Sequence, residues 1–360
     1  MKALIAMSGG VDSSVAAYLT QQAGYECIGC TMKLYDDPEI VRDASRTCCT
    51  LDDVEDARSV ARKLGMRYYV FNFKDGFREK IIDPFICSYE NGLTPNPCID
   101  CNRYMKFDRL FERAEILGCE KIVTGHYARI VERDGRFALL KAPDESKDQS
   151  YVLYSLNQER LAKLLLPIGE LTKAETRRIA RENGFINSQK PDSQDICFVP
   201  DGDYAKVIET LTGKEYPEGD FVLKDGTPLG KHRGIIRYTR GQRRGLGIAY
   251  SEPLYVLRVD AAENRVVLGS NSDLFSKNLT AGDFIWTCGI VPEKPINCKA
   301  KIRYKHKEQP CTASVLPNGD VSVVFDEPQR AITPGQACVL YRDDEVLGGG
   351  TILPDQNRDC

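Results

Sequence analysis

The sequence predicts an α/β protein: an N-terminal parallel sheet, a small α+β connector, and a C-terminal antiparallel β-barrel. Three observations carry this expectation. Residues 1 to about 200 alternate strand and helix signals, the rhythm of parallel strands joined by crossover helices. After Pro200 that rhythm stops, and Asp225-Gly226 and Asn318-Gly319 sit between β-rich runs as hairpin turns. From Phe284 to Leu353 short strand signals dominate, the pattern of a small barrel or sandwich. The 360 residues are enough for two or three domains, with expected spans of 1–202, 203–275 and 276–360.

Taken in order, Ala3 to Met7 is an apolar strand candidate. Val11, Val15, Ala16 and Leu19 recur at helical spacing after it, and Tyr25 to Met32 reads as a buried strand. Leu51, Val54, Ala57, Ala61 and Leu64 mark a helix with acids in its first turn and Gly65 as its stop. Arg67 to Phe73 is β-rich, helical stretches are expected near 76–90 and 107–117, and Lys121 to Thr124 is a short strand. A further helix is expected over roughly Lys173 to Asn183.

Between the first strand and helix lies Ser8-Gly9-Gly10-Val11-Asp12-Ser13-Ser14. A glycine-bearing turn that opens a helix presents unpaired N–H groups to an anion, and glycine lets the backbone approach phosphate. Ser8, Ser13 and Ser14 add hydroxyls, and Asp12 is placed to reach a metal ion or a capped N–H. The Gly-Lys-Ser/Thr ending of the Walker loop is absent. The run resembles instead the pyrophosphate loop of enzymes that cleave ATP between its α and β phosphates. The plain alternative is a serine-rich helix cap. In open parallel sheets ligands sit beyond the carboxyl ends of strands, where this loop and Thr124-Gly125-His126 both fall.

With 49 basic and 52 acidic residues the net charge is −3, so nucleic acid would need a local patch. Met1-Lys2 leads straight into Ala3-Leu4-Ile5, so no signal peptide is expected, and no apolar run approaches the ~20 residues of a membrane span. A cytoplasmic location follows as the expectation, in which the 14 cysteines stay reduced and point to metal or sulfur chemistry. Only His126, His232 and His306 are available, too few for a histidine-rich zinc site.

Cys98 and Cys101 form a Cys-x-x-Cys in the Pro-rich stretch Thr94 to Asn102, read as a loop. Cys197 follows 96 residues later in a second loop. Two such thiols suit a relay in which one carries sulfur and the other resolves it; two unremarkable thiols are the alternative. Cys98, Cys101 and Cys197 could also hold an iron–sulfur cluster with one iron open. Cys27 and Cys30, three apart on a strand, should face opposite sides and belong to the core. Cys48-Cys49 could pack or form a redox pair. The remaining cysteines, at 87, 119, 288, 298, 311, 338 and 360, are expected to pack or lie on the surface.

Lys299, Lys301, Arg303, Lys305 and Lys307 alternate along an expected strand, which would put five cations on one face for a polyanion. A charged edge strand is the alternative. Lys231, Arg233, Arg237, Arg240, Arg243 and Arg244 form a second strip without an acid.

Over nearly its full length the chain resembles the bacterial tRNA-specific 2-thiouridylases. The resemblance rests on AMSGGVDSS, CCTLDDVEDARSVARKLG, TPNPCIDCNRYMKF, TGHYAR, KDQSYVLY, PDSQDICFV, TRGQRRGLG, KIRYKH and TPGQACVLY, in order. It implies an adenine-nucleotide hydrolase-like first domain, a tRNA-binding connector, and thiolation of wobble uridine 34 in tRNAs for Lys, Glu and Gln. By it, Cys101 is the nucleophile and Cys197 the persulfide carrier, and a Cys101–Cys197 disulfide results. Ala6, Met7, Ser8, Gly9, Gly10, Val11, Asp12, Ser13, Met32 and Gly125 would contact ATP, accompanied by Mg2+. Asn96, Pro97 and Cys98 would lie against the target base. His126, Lys147, Asp148, Gln149, Arg303, Tyr304 and Gln336 would contact tRNA. Some members carry Asp where this chain has Cys98, which removes an acid–base role there and favours cluster ligation. The implied partners are tRNA and a sulfur-relay protein or cysteine desulfurase. Rival readings are an amide- or lysidine-forming synthetase with a pyrophosphate loop, which has no use for the two cysteines, and an RNA- and nucleotide-binding module.

Overall fold

The computed structural model describes residues 1–34, 51–191, 196–199 and 202–354. Cys48, Cys49 and Cys360 therefore lie outside the described residues. A five-stranded parallel sheet runs in the order Arg67–Asn72, Glu26–Lys33, Lys2–Ala6, Lys121–Val123, Leu164–Leu165. Alternation along Lys2–Ala6 builds two cores. Leu4 joins Phe107, Leu110 and Ile122 on one face, while Ala3 and Ile5 join Val15, Ala16, Ala57, Ala61 and Ala180 on the other. Cys30 falls in the first core and Cys27 in the second, as their spacing predicts. The chain steps from Lys2–Ala6 outward through two strands on one side, then returns to the other side with Lys121–Val123. That reversal is the switch point where open parallel sheets bind ligands.

The connector carries the helix Tyr204–Thr212 and a mixed sheet ordered Tyr255–Asp260, Arg265–Gly269, Gly219–Leu223, Pro228–His232. Gly226 (φ +86°) turns one expected hairpin and Gly319 (φ +89°) the other. In the C-terminal region the strands Phe275–Ile285, Val321–Arg330, Gln309–Val315, Ile296–Lys301, Ala337–Arg342 and Glu345–Ile352 pair in series. The first then pairs with the last and closes an antiparallel barrel. The sequence left barrel and sandwich open; closure through Ala281–Ile352 and Gly282–Thr351 decides for the barrel.

Three local expectations change. The hairpin Ala128–Arg133 and Arg136–Lys141 leaves the parallel domain and adds to the barrel wall. The stretch near 76–90 is three successive segments, Lys74–Phe77, a π-helical Arg78–Ile82 and Asp83–Glu90. The Cys98–Cys101 loop is helix: Pro97–Asp100, a π-helical Cys101–Phe107, then Asp108–Ile116. Pro97 starts this helix because its locked φ suits the first turn, where its missing N–H costs nothing. No helix among the described residues is long and apolar enough to cross a membrane.

Candidate active site

Two strand ends and two helix starts meet at the switch point. Gly10 caps the helix Val11–Gln22 in an extended conformation (φ −85°, ψ 162°), without a side-chain cap. Gly9 sits at φ +74°, and a Cβ there would lie 2.3 Å from the Asp53 carbonyl oxygen, so only glycine fits. Gly125 closes the opposite side: its Cβ would stand 2.7 Å from the Asp12 carbonyl carbon and the Ser13 nitrogen. The loop is braced by its own hydrogen bonds. Ser8 N–H donates to Ser13 Oγ at 3.2 Å, and the Ser13 and Ser14 hydroxyls donate to the Gly10 carbonyl at 3.1 and 3.0 Å. Buried Asn187 donates to the Gly9 carbonyl at 2.8 Å and to Ser14 Oγ at 2.9 Å. Ala6 ends the first strand, and Met7 N–H donates to the Cys30 carbonyl at 2.8 Å.

Asp12 was expected to meet a metal or an N–H. Here both its oxygens accept from Lys173 Nζ at 2.8 Å, and Oδ1 also accepts from the Tyr127 hydroxyl at 2.8 Å. Lys173 thus brings a cation to a loop that carries no lysine of its own, from the helix Lys173–Glu182 behind a Thr172–Glu175 capping box. Sequence reasoning missed it. The available signal was a cation at the first position of a helix, where the macrodipole disfavours one. Lys190, bound to Asp53 at 2.7 Å and Asp56 at 2.6 Å, fixes the start of the neighbouring helix Leu51–Lys63 and was also missed.

Cys101 is buried among Phe77, Phe85, Met105 and Phe198, and Cys197 rests against the same cluster. The two distant thiols are therefore brought to one apolar wall. Met32, at the end of its parallel strand, packs against that cluster and against the core beneath the sheet. The approach Thr94-Pro95-Asn96 is held by the barrel: Gln336 Nε2 donates to the Thr94 and Pro95 carbonyls at 2.8 and 3.1 Å. Thr94 N–H donates to the Pro334 carbonyl at 3.0 Å. Asn96 is half-buried, Pro97 buried and Cys98 exposed. Burial raises the Tyr304 phenol above its usual range, with the charges of nearby Asp148 and Cys98 adding to it. Cys98 thus lies near Tyr304. Among the described residues no three His, Cys, Asp or Glu side chains converge as a metal-ligand set.

The residues matched to tRNA contacts differ in exposure. His126 is buried with Nδ1 2.8 Å from Thr124 Oγ1, and burial, then the Lys106 ammonium, push its imidazole from 6.5 to about 3. It is a neutral group at ordinary pH. Asp148 is buried and accepts from the Ala142 and Ser150 N–H groups at 3.1 Å. Gln149 exchanges hydrogen bonds with the Tyr127 backbone at 2.9 and 2.8 Å, and half-buried Lys147 turns onto the Asp144 carbonyl at 3.0 Å. Tyr304 is exposed, and its hydroxyl donates to the Asp148 carbonyl at 3.2 Å. Half-buried Arg303 reaches the Arg330 carbonyl at 3.5 Å.

The expected five-cation strand is corrected. The strand ends at Lys301, and His306 N–H bonds back to the Arg303 carbonyl at 3.0 Å in a turn. Lys301 lies 5.6 Å from the ring centres of both Tyr151 and Tyr304. Tyr304 swings to Asp148, which breaks the alternation and covers Lys301. In the second strip Lys231 pairs with Asp220 and Arg237 with Glu209. Arg233, Arg243 and Arg244 stay exposed, with no ion pair among the described residues.

Three family models match: a tRNA methyl transferase HUP domain over residues 1–201, a PRC-barrel domain over 206–270, and an aminomethyltransferase β-barrel domain over 276–352. A tRNA-specific 2-thiouridylase MnmA of Clostridioides difficile is 49% identical over 98% of each chain. The MnmA of Acetivibrio thermocellus is 51% identical over 98% of this chain and 99% of its own. The Carboxydothermus hydrogenoformans MnmA is 49% identical over 98% of this chain and 97% of its own. A solved 4-thiouridine synthetase–RNA complex with bound ATP aligns with 56% of this chain and 45% of that chain at 19% identity and a TM-score of 0.35, a likeness too distant to carry an argument. The domain descriptions and the relatives' names differ in the group transferred, but both name tRNA. At this identity, over almost the whole length of each relative, the chain belongs to the tRNA-specific 2-thiouridylase family.

Proposed function

We propose that this chain is a tRNA uridine 2-sulfurtransferase that activates its target with ATP. The observation that supports the reading is that Cys101 and Cys197, distant in sequence, share one apolar cluster, against which Met32 of the loop-bearing sheet also packs. ATP, with its magnesium counter-ion, is a substrate held at the Ser8–Ser13 loop. The glycines let phosphate approach the backbone, and the first-turn N–H groups of Val11–Gln22 favour its charge. Lys173 replaces the Walker lysine and stands beside the departing pyrophosphate. Gly125 and Met32 bound the nucleoside side.

The O2 atom of uridine 34 attacks the α-phosphorus, and pyrophosphate leaves. A persulfide on Cys197, loaded by a sulfur-relay protein or a cysteine desulfurase, then supplies sulfur to C2 as AMP departs. The Cys101 thiolate attacks the Cys197 sulfur and releases the thiolated tRNA, leaving a Cys101–Cys197 disulfide for an external thiol to reduce. In a variant of this order, Cys101 first frees hydrogen sulfide from the persulfide. The apolar wall keeps water from the adenylate. Asn96-Pro97-Cys98, clamped by Gln336, lies where a base taken from the anticodon loop would enter, and loop bases unstack at little cost. The connector and the barrel, over 203–275 and 276–360, grip the tRNA backbone.

The test is product identity. AMP and pyrophosphate should form only with tRNA present, and a Cys101→Ser/Cys197→Ser chain should not thiolate. ADP and phosphate as stoichiometric products would refute the reading.

A further inference from the structure

Two cysteines remote from Cys101 and Cys197 face each other in the barrel wall. Cys298 lies on Ile296–Lys301 and Cys311 on Gln309–Val315, and they are direct partners in the antiparallel register. Their sulfurs stand 3.7 Å apart as thiols. Directly opposed residues keep their Cβ atoms about 4.5–5.5 Å apart, and a disulfide asks for about 3.5–4.5 Å, so a small approach of two paired strands suffices. The two environments differ. Cys311 is 3% exposed, behind the strand surface and near Asp326. Cys298 is partly exposed, with Arg342 beside it. An accessible thiol next to a guanidinium is the better nucleophile, and a buried neighbour is placed to resolve it.

We infer that Cys298 and Cys311 form a second redox dithiol, which a low-molecular-weight disulfide converts into a cross-strand disulfide. The Cys298 thiolate attacks one sulfur of the oxidant, whose S–S bond breaks as the first thiolate leaves. Cys311 gives its proton to solvent and attacks the Cys298 sulfur of the mixed disulfide, expelling the second thiolate. One S–S bond replaces another; the protein loses two electrons and two protons, and the oxidant becomes two thiols. The pair needs neither ATP nor tRNA, and it would stand if the sulfur-relay reading fell. Cys338, buried in the same barrel core, is the competing thiol.

The experiment uses the full-length Cys101→Ser/Cys197→Ser chain, with oxidised glutathione as the probe. After treatment the protein is alkylated under denaturing conditions and digested with trypsin without reduction. Lys299, Lys301, Arg303, Lys305 and Lys307 place cleavage sites between the two cysteines. The expected result is a linked Cys298–Cys311 peptide pair, loss of two alkylatable thiols, and their return on reduction. With Cys311→Ser added, the Cys298 peptide should carry glutathione instead; with Cys298→Ser added, no linked pair should form. Both peptides alkylated after oxidation, or Cys298 linked to Cys338, would overturn the inference.

Discussion

Replacing Gly125 by Ala tests the nucleotide loop at one atom. The added Cβ would stand 2.7 Å from the Asp12 carbonyl carbon and the Ser13 nitrogen, both backbone atoms that cannot rotate away. To reach the 3.4 Å of ordinary contact, the start of Val11–Gln22 must retreat by roughly 0.7 Å. Overpacking of this kind costs about 1–3 kcal/mol of stability, which this chain should survive. Catalysis is more sensitive, because a displacement near 1 Å can cost about 100-fold, or about 2.7 kcal/mol of barrier. Asp12 would also be carried away from Lys173 and Tyr127. The assay is tRNA-dependent AMP formation, read beside the melting temperature. A fall of about 100-fold with a melting shift of a few degrees is expected. Gly10→Ala is the internal comparison, since its Cβ meets only Ser8 Oγ at 3.4 Å and φ is −85°. It should fold as the wild type does and lose activity only through contact with phosphate. AMP formation within twofold of wild type in Gly125→Ala would refute the placement of ATP against this helix start.

Further outcomes follow from the same geometry. Cys197→Ser should carry no persulfide and give no thiolation while tRNA-dependent AMP formation persists; Cys101→Ser should stop multiple turnover, and single-turnover nucleoside analysis separates the two. His126 is neutral when folded and protonates below 6.5 when unfolded, so its stability contribution is complete above pH 6.5 and is lost as pH falls toward about 3. Wild type should lose about 2 kcal/mol between pH 6.5 and 5.0 from this group, and His126→Asn should show a shallower fall in thermal scans over that range. Changing Arg233, Arg243 and Arg244 together to Ala should lower the log–log salt slope of tRNA affinity by roughly 0.7–0.9 per contact removed, whereas Lys301→Ala, whose ammonium lies against two tyrosine rings, should leave the slope unchanged.

Much of this was legible in the residues because local rules governed it. The strand–glycine–helix order at Ala3 to Leu19 fixed the loop, and the three-residue offset of Cys27 and Cys30 fixed their opposite faces. The hairpin turns at Gly226 and Gly319 sit where left-handed backbone is needed. What stayed hidden was long-range. Lys173 reaches Asp12 across 161 residues, and nothing in either neighbourhood announces the pair. Gln336 reads as a barrel residue but holds Thr94 and Pro95. The hairpin at 128–141 alternates like any strand pair, and only its pairing with the barrel strand at Leu140 and Glu345, 205 residues apart, attaches it to the barrel sheet. The period-2 cations from Lys299 failed because a tertiary hydrogen bond, Tyr304 to the Asp148 carbonyl, outweighed the local pattern.

The most direct measurement of the central claim is nucleoside mass analysis of unmodified tRNA(Lys), (Glu) or (Gln) incubated with the purified chain, ATP, magnesium and a persulfide donor. The account predicts one sulfur in place of the O2 oxygen of uridine 34, with one AMP and one pyrophosphate per sulfur incorporated. Sulfur at another position, a methylated nucleoside in its place, or thiolation that proceeds without ATP would contradict it.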